Sequence, residues 1–394
     1  MAYKIFKPPS EWTPPDIFPI EIFKDADEIA IDLETRDPNL KSKGPGYVRG
    51  DGETVGISIA CDGYADYFPF SHEAGFNFPK KRVIDFIKEI CALPCDKIFH
   101  NATYDVGWLH REGVTVKGRI IDTMIVAPLI NENMYWYTLN SLGQEYLQEG
   151  KSEAELRQAA EEWGVDPKAE MWRLPSAYVG TYAAQDAALT LKLWNHFKIH
   201  LEDQNLWNIF NLETDLFPAL FNMKLTGVRV DLERADGLKK QLVAKEQKLI
   251  KEVAKESGIK EVRIWAATSV AQVFDACKIP YNHTAKGAPS FTKGFLASQK
   301  HPVAQMIMKI RELNKAHSTF IDTIIKHEHN GRIHADIRQL KGETGGTVTG
   351  RLSMSNPNLQ QVPARDKEIG PLIRSLFLPE EGQKWCSADF SQQE

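Results

Sequence analysis

The sequence of 394 residues has no long apolar run and no closely paired cysteines. It contains no stretch of 18 or more apolar residues, which argues against a membrane-spanning helix. The N-terminal segment has neither the apolar core of a secretory signal nor the Arg and Ser bias of a transit peptide. The five cysteines form no Cys-x-x-Cys pair, and we expect them to be reduced. These absences predict a cytoplasmic protein that does not bind a membrane.

The common nucleotide-binding glycine motifs are also missing. The glycine-rich segment "GETGGTVTG", 342–350, lacks the Lys-Ser/Thr of a P-loop. It also lacks the strand, the Gly-x-Gly-x-x-Gly spacing and the helix of a dinucleotide-binding unit. We therefore interpret this segment as a flexible connection.

Charge is distributed unevenly along the chain. Residues 1–200 contain 21 Lys and Arg against 30 Asp and Glu, whereas residues 201–394 contain 27 against 23. The uneven charge is compatible with an ordinary solvated surface. On charge alone this is the preferred interpretation, and the alternative is an acidic catalytic half joined to a half that contacts polyanions.

The first half of the sequence alternates between strand and helix patterns. Segments 28–34 and 55–61 are apolar and β-branched, as in buried strands, and the polar Gly- and Pro-rich segment between them predicts a loop. Strands mixed with helices over roughly 200 residues indicate an α/β domain. The predicted helices lie at 81–91, from about 101, and near 121–131, 138–147 and 178–203.

Long helical segments dominate the second half. Residues 231–257 begin with an Asp suited to N-capping and end before Gly258. A second long helix is predicted over 301–329. We expect these two helices to form an exposed arm rather than a compact core. Strand and turn patterns return in 331–394.

Three pairs of polar residues in the first half have spacings that place their side chains together. Asp32 and Glu34 lie two apart on a strand, so both leave the same face. Asn101 and Asp105 lie four apart, as do Tyr182 and Asp186, and this spacing gives one face of a helix. Each pair alone is more often a solvated or packing feature than a functional one.

The chemistry that these pairs share is specific. Four carboxylates in one pocket repel each other strongly unless cations are bound. Two divalent metal ions can activate a water on one side of a phosphodiester and stabilise the leaving oxygen on the other. Mg²⁺ and Mn²⁺ prefer oxygen ligands of this kind.

The segments "DLE", "HNATYD" and "YAAQD", in this order, resemble the three motifs of the DEDD 3′–5′ exonuclease superfamily, in its tyrosine-bearing branch. The resemblance implies a ribonuclease H-like core in which Asp32, Glu34 and Asp186 hold one Mg²⁺ or Mn²⁺ ion. Asp32, with Asp105, would serve a second ion, and Tyr182 would position the attacking water. We expect Asn101 to contact DNA.

The segment "TGRLSMSNPNLQQVPARDKEIGPLIRSLFLPEEG" places Arg and amide side chains on a backbone stiffened by prolines. Such donors suit the phosphates and minor-groove acceptors of a duplex. The segment resembles motif 1 of family A DNA polymerases, and "RELNKAHSTFIDTI" resembles a thumb helix of that family. His317 falls where these helices often carry Lys, so one phosphate contact is expected to be weaker or pH-dependent. The resemblance implies primer–template contacts from Arg351, Asn358, Gln360, Gln361 and Arg365.

The final segment, "SADFSQQE", resembles motif A of the same family. Asp389 and the backbone carbonyl of Phe390 would bind Mg²⁺ of a polymerase centre, and Glu394 would exclude ribonucleotides. "WCSADF" is expected to be a central strand of the palm. The predicted fold is thus an α/β exonuclease domain, a helical thumb and an incomplete α+β palm, over residues 1–203, 204–330 and 331–394.

Polymerisation needs further parts that this sequence does not contain. The family's fingers and the second catalytic acid of the palm are missing from residues 1–394. We expect either an incomplete fragment or, preferably, one half of a split polymerase. A C-terminal chain would then supply the missing parts, in a bacterial or phage-infected cell. The expected ligands are primer–template DNA and single-stranded 3′ ends.

Two other functions fit parts of the sequence. A free-standing 3′–5′ exonuclease would need no partner chain. A non-catalytic DNA-binding scaffold would have no use for clustered acids beside a polyanion. The complete set of acids therefore argues against the scaffold.

Overall fold

The computed structural model describes residues 10–343, 345–364 and 366–391. The chain folds into two compact units. The first comprises Met1–Thr226 and Ala335–Asn356, and the second comprises Gly227–His334 and Pro357–Glu394. These units do not follow the predicted boundaries at 203/204 and 330/331, and the division into exonuclease, thumb and palm stays a prediction.

A five-stranded mixed sheet forms the centre of the first unit, with strand order β3-β2-β1-β4-β5. The central strand β1 pairs antiparallel with β2 and parallel with β4. Two of these strands were predicted from their β-branched, apolar composition. The strands are β1 Glu28–Arg36, β2 Glu53–Cys61, β3 Tyr64–Pro69, β4 Asp96–Phe99 and β5 Ile120–Asp122.

Helices cover both faces of this sheet, and successive residues of β1 point to opposite faces. Ile29 and Ile31 enter an apolar core that includes Phe86 and Trp108, whereas Ala30 enters a second core. The sheet is therefore buried on both sides, as in an α/β domain. The helices are α1 Ile20–Lys24, α2 Leu40–Lys43, α3 Lys80–Ala92, α4 Ala102–Arg111, α5 Thr123–Ile130, α6 Leu139–Leu147, α7 Ala154–Trp163, α8 Gly180–Asp203 and α9 Trp207–Thr226.

The chain leaves the first unit after α9 and returns to it as a two-stranded hairpin. Strand β11, Asp336–Arg338, pairs antiparallel with β12, Ser353–Ser355. Buried Lys224, at the end of α9, forms an ion pair with Asp336 at the start of the returning segment. Gln339 donates from Nε2 to the backbone oxygen of Glu213, at 2.8 Å, and to its carboxylate. These contacts tie the return to α9.

The second unit combines a four-stranded sheet of short strands with helices. The N-cap Asp231 accepts a hydrogen bond from the Arg234 amide at 2.9 Å, and the helix that follows ends at the left-handed Gly258, so both predicted ends are confirmed. The sheet order is β13-β6-β10-β9. Strands β7 and β8 pair with each other in a separate sheet. The elements of the second unit are β6 Val228–Val230, α10 Leu232–Ser257, α11 Ala267–Ala276, β7 Asn282–His283, β8 Pro289–Ser290, α12 Lys293–Ser298, α13 Pro302–Lys315, α14 Asp322–His327, β9 Glu328–His329, β10 Arg332–Ile333, α15 Ile369–Arg374 and β13 Phe377–Leu378.

The expectation of an exposed arm without a core is wrong. Val253, Phe274 and Ile307, from three different helices, are fully buried in one apolar cluster. The apolar residues of α10 and α13 are spaced to form one face of each helix. Packing of these faces gives this part of the second unit a small core of its own.

The predicted helix over 301–329 is interrupted by a π-helical stretch, Ala316–Ile321, between α13 and α14. His317 lies in this stretch. Its Nε2 contacts the carboxylate of Glu246 at 2.5 Å, and its side chain is only 11% exposed. The ring is thus paired within the second unit, and the weaker phosphate contact expected at His317 stays a prediction.

The predicted central strand "WCSADF" is also wrong. Residues 379–391 contain no strand, and residues 381–391 are exposed. A strand requires a hydrogen-bonded neighbour, and none of the described residues supplies one here.

Among the described helices, none is both long enough and apolar enough to cross a membrane.

The ion pair of the return segment predicts a large stability difference between two aspartates. We expect Asp336→Ala to lower the free energy of unfolding by about 3 kcal/mol, because it leaves the buried Lys224 ammonium without its carboxylate. Asp236→Ala removes an exposed partner of Lys240 and should cost less than about 1 kcal/mol. Urea unfolding of both variants measures the difference, and equal costs would contradict it.

Candidate metal centre

The first two residues of the candidate metal centre lie on β1. Because side chains of a strand alternate between its two faces, Asp32 and Glu34 share a face with the buried Ala30. The pairing of β1 with β2 shifts register directly after Glu34. Such a bulge bends a strand and redirects side chains beside it. Both carboxylates are half-buried.

Helix α8 lies against the same face of the sheet and supplies the other members. Ala183 and Ala187 are fully buried, and their small side chains let the helix approach the strands closely. Tyr182 and Asp186, four residues apart, lie on this buried side and are 9% and 3% exposed. The helix spacing predicted from the sequence is confirmed.

Three carboxylates converge between β1 and α8. One oxygen each of Asp32, Glu34 and Asp186 lies within 4.8 Å of the others. The strand period of two brings Asp32 and Glu34 together, and the packing of α8 on β1 adds Asp186. Neither element alone brings all three side chains to one point.

The convergence has an electrostatic cost. Burial, followed by repulsion from Asp186, raises the pKa of Asp32 to about 7. Burial and repulsion from Asp32 raise the pKa of Glu34 well above its usual value. Without a cation, the folded protein thus favours protonated forms of acids that water would ionise.

Asp105 lies on α4 and is 3% exposed. Burial first, and the neighbouring charge of Asp32 second, raise its pKa well above normal, while an amide hydrogen bond from Leu33 opposes this. Asp105 therefore interacts with the cluster, although it is not one of the three acids whose oxygens lie within 4.8 Å of each other.

Asn101 does not lie within the helix, which begins at Ala102. It is the N-cap residue, with a left-handed backbone at φ 76°. The backbone amide of Asn101 donates to Asp122 Oδ1 at 2.9 Å, and the backbone amide of Ala102 donates to Asp122 Oδ2 at 2.8 Å. Asp122, which sequence reasoning missed, thereby fixes the start of α4. Asn101 remains predicted to contact DNA.

Sequence reasoning also missed Lys151. Its Nζ lies 2.5 Å from Asp186 Oδ2 and 3.2 Å from the Tyr182 hydroxyl. It lies in the loop between α6 and α7, where no periodicity relates it to α8, so the sequence contains no spacing that could have found it. The hydroxyl of Tyr182 stays protonated, because burial and the nearby Asp186 charge raise its pKa well above normal.

The donor set fits a hard divalent cation. It consists of carboxylate oxygens, which Mg²⁺ and Mn²⁺ prefer. Asp186 Oδ1 is buried and has no hydrogen-bond partner among the described residues, so one oxygen of this acid is available to a ligand.

The residues predicted for polymerase chemistry lie elsewhere. Arg351, Asn358, Gln360 and Gln361 are exposed, and Asn358 caps a short 3₁₀ helix by accepting from the Gln360 amide at 3.1 Å. Asp389 and Phe390 are exposed, Phe390 by 82%. The roles of these residues stay predictions. Arg365 and Glu394 lie outside the described residues.

The first unit thus has a mixed α/β fold of the exonuclease type, with an acidic centre on its central strand. Residues 19–202 match the family model described as 3′–5′ exonuclease, and residues 232–394 match DNA polymerase family A. Each of the two segments thus resembles a part of a family A DNA polymerase that has a 3′–5′ exonuclease domain.

Curated relatives include phage and bacterial proteins. The chain is 36% identical to the "DNA-directed DNA polymerase" of Pseudomonas phage M6, over 98% of this chain and 60% of the relative. It is 32% identical to "DNA polymerase DpoZ" of Salmonella phage PMBT28, over 93% of this chain and 60% of the relative. The chain therefore spans about 60% of the length of these relatives.

A solved structure has the same fold. It is the POL domain of Pol1 from M. smegmatis in complex with DNA primer-template and dNTP. The match has a TM-score of 0.71 at 20% identity, and covers 94% of this chain and 58% of that one.

The raised pKa values predict how stability responds to pH and metal. Because folded Asp32 keeps its proton up to about pH 7, whereas the unfolded chain releases it near pH 4, stability in EDTA should fall as pH rises through this interval. Metal ions compete with that proton. We therefore expect Mg²⁺ to raise Tm by at least about 3 °C more at pH 8 than at pH 5.

Thermal unfolding in EDTA and in Mg²⁺ at both pH values measures this effect. The double variant Asp32→Asn, Glu34→Gln is the control, because it removes two of the titrating acids and should show little difference between the two pH values. An equal Mg²⁺ effect at pH 5 and pH 8 in the unmodified chain would contradict the prediction.

Proposed function

We propose that this chain is the proofreading 3′–5′ exonuclease and DNA-binding part of a family A DNA polymerase. The convergence of Asp32, Glu34 and Asp186 within 4.8 Å supports this proposal most strongly. It lies inside the segment that matches the exonuclease family. The proposed reaction is hydrolysis of the terminal phosphodiester of a single-stranded 3′ end.

Each residue of the centre has a proposed role. Asp32, Glu34 and Asp186 would hold one divalent ion, and Asp105 would assist Asp32 at a second. Two such ions, when bound, would activate water and stabilise the leaving oxygen. The protonated hydroxyl of Tyr182, beside Asp186, would orient the attacking water by a hydrogen bond.

The chain would bind the duplex through residues outside this centre. Arg351, Asn358, Gln360 and Gln361 are exposed and carry donors suited to phosphates and minor-groove acceptors. Arg365 is proposed for the same role by its place in motif 1. The family match over residues 232–394, and a solved relative in complex with DNA primer-template, support a primer–template ligand.

Polymerisation is proposed to require more of the polymerase than these residues. Asp389 and the carbonyl of Phe390 would bind Mg²⁺, and Glu394 would select the nucleotide sugar. Two-metal phosphoryl transfer needs a second acid opposite them. We propose that the rest of the polymerase supplies it, either as a separate C-terminal chain or as a continuation of this one, since the relatives are longer than this chain.

Removal of the acids should abolish shortening of a 5′-labelled primer from its 3′ end. We expect Asp32→Ala, Glu34→Ala to lower the rate in Mg²⁺ by at least about 10³-fold, because metal-assisted charge stabilisation supplies several kcal/mol. Denaturing gels with primer–template, with and without dNTPs, measure both shortening and extension.

Asp85→Ala is the matched control for this assay, since Asp85 is exposed on α3 and pairs with Lys81. It should leave shortening unchanged. Shortening that persists in the double variant would refute the assignment of the centre. Extension by the chain alone would refute the requirement for the rest of the polymerase.

The hydroxyl of Tyr182 can be tested separately. Tyr182→Phe keeps the ring in its buried site and removes only the hydroxyl, so we expect a loss of about 10- to 100-fold in rate from the poorly oriented water, with little change in DNA affinity. Tyr135→Phe, on a side chain 77% exposed, is the control. Single-turnover rates decide, and an unchanged rate would rule out the proposed role.

A further inference from the structure

Lys151 has no role in the function proposed above, although its side chain ends inside the acidic centre. Its Nζ contacts Asp186 Oδ2 at 2.5 Å and the hydroxyl of Tyr182 at 3.2 Å. The ammonium also lies 5.0 Å from the centre of the Tyr182 ring. The side chain is only 14% exposed.

The loop that carries Lys151 is held on two sides. The Lys151 amide donates to Asn140 Oδ1, on α6, at 2.8 Å. The Ser152 amide donates to Gln185 Oε1, on α8, at 2.8 Å, and Gln185 Nε2 donates to the Gly150 oxygen at 3.1 Å. Gln185 directly precedes the metal-ligand candidate Asp186 on α8. The same helix therefore holds the loop of Lys151 and carries the carboxylate that the ammonium contacts.

The ammonium interacts with every acid of the triad. Asp186 and Asp32 contribute most, and Glu34 less, to the favourable charge interactions of Lys151. Lys151 is therefore the positive charge that offsets the repulsion of these carboxylates in the metal-free chain.

We propose that Lys151 is a resident cation that opposes metal binding and thereby sets the metal concentration that the exonuclease requires. The inference rests on the proposed function, because it assumes that the triad holds a divalent ion. An ion on Asp186 Oδ2 would displace the ammonium. An ion on the unpartnered Oδ1 would lie a few ångströms from it and be repelled.

The test measures Mn²⁺ binding to the full chain without DNA, by electron paramagnetic resonance of the free ion at pH 8. We expect Lys151→Met to tighten binding of the first Mn²⁺ by at least about tenfold, because one nearby positive charge is removed. Lys151→Arg keeps that charge and should resemble the unmodified chain. Lys192→Met, at an exposed pair with Glu149, is the control and should change affinity by less than about twofold.

A second readout shows whether Lys151 neutralises the triad. In EDTA, Lys151→Met should lower Tm, and Mn²⁺ should then raise Tm more than in the unmodified chain. If Lys151→Met folds only when Mn²⁺ is present, that result supports the proposal in the same way. Lys151→Gln provides a second neutral variant.

The outcomes separate this inference from the proposed function. Equal or weaker Mn²⁺ binding by Lys151→Met overturns the inference and leaves the metal centre intact. A slower exonuclease at saturating Mn²⁺ with unchanged metal affinity overturns it too, and makes Lys151 a residue that acts on the substrate. If the unmodified chain binds no Mn²⁺ that Asp32→Asn removes, the metal centre itself is refuted, and the inference with it.

Discussion

The first unit depends on a balance of charge at one point of its sheet. Three carboxylates with oxygens within 4.8 Å of each other destabilise the folded state unless protons or cations neutralise them. The fold places them there nevertheless, on a central strand and a closely packed helix. An arrangement that reduces stability and brings ionisable groups with shifted pKa values together is more typical of a functional site than of a structural one.

The sequence predicts those parts of the centre that depend on local periodicity. Asp32 and Glu34 share a face because a strand repeats every two residues, and Tyr182 and Asp186 because a helix repeats every 3.6. The strand and helix around them were recognisable by apolar pattern. The ends of α10 were also predictable, because an N-cap Asp and a terminal Gly act through local hydrogen bonds and backbone conformation.

Other features depend on contacts that no local pattern encodes. Lys151 reaches the centre from a loop, through hydrogen bonds to α6 and α8. The return of residues 335–356 to the first unit depends on Lys224 and Gln339 meeting partners more than 100 residues away. The segment with Trp385 and Phe390 has strand-like composition, but a strand forms only with a neighbour, and composition does not show whether one is present.

The two proposed activities differ in how completely the described residues build their sites. The exonuclease centre takes its acids, its tyrosine and its lysine from β1, α4, α8 and one loop, all within the first unit. Asp105, Tyr182 and Asp186 are buried, and Lys151 contacts the last two of them. By contrast, the described residues proposed for polymerisation are exposed, and Asp389 lies in a segment without regular structure. Exposed side chains on irregular backbone do not fix the geometry that phosphoryl transfer requires, whereas the packing of the acidic centre holds its side chains in place.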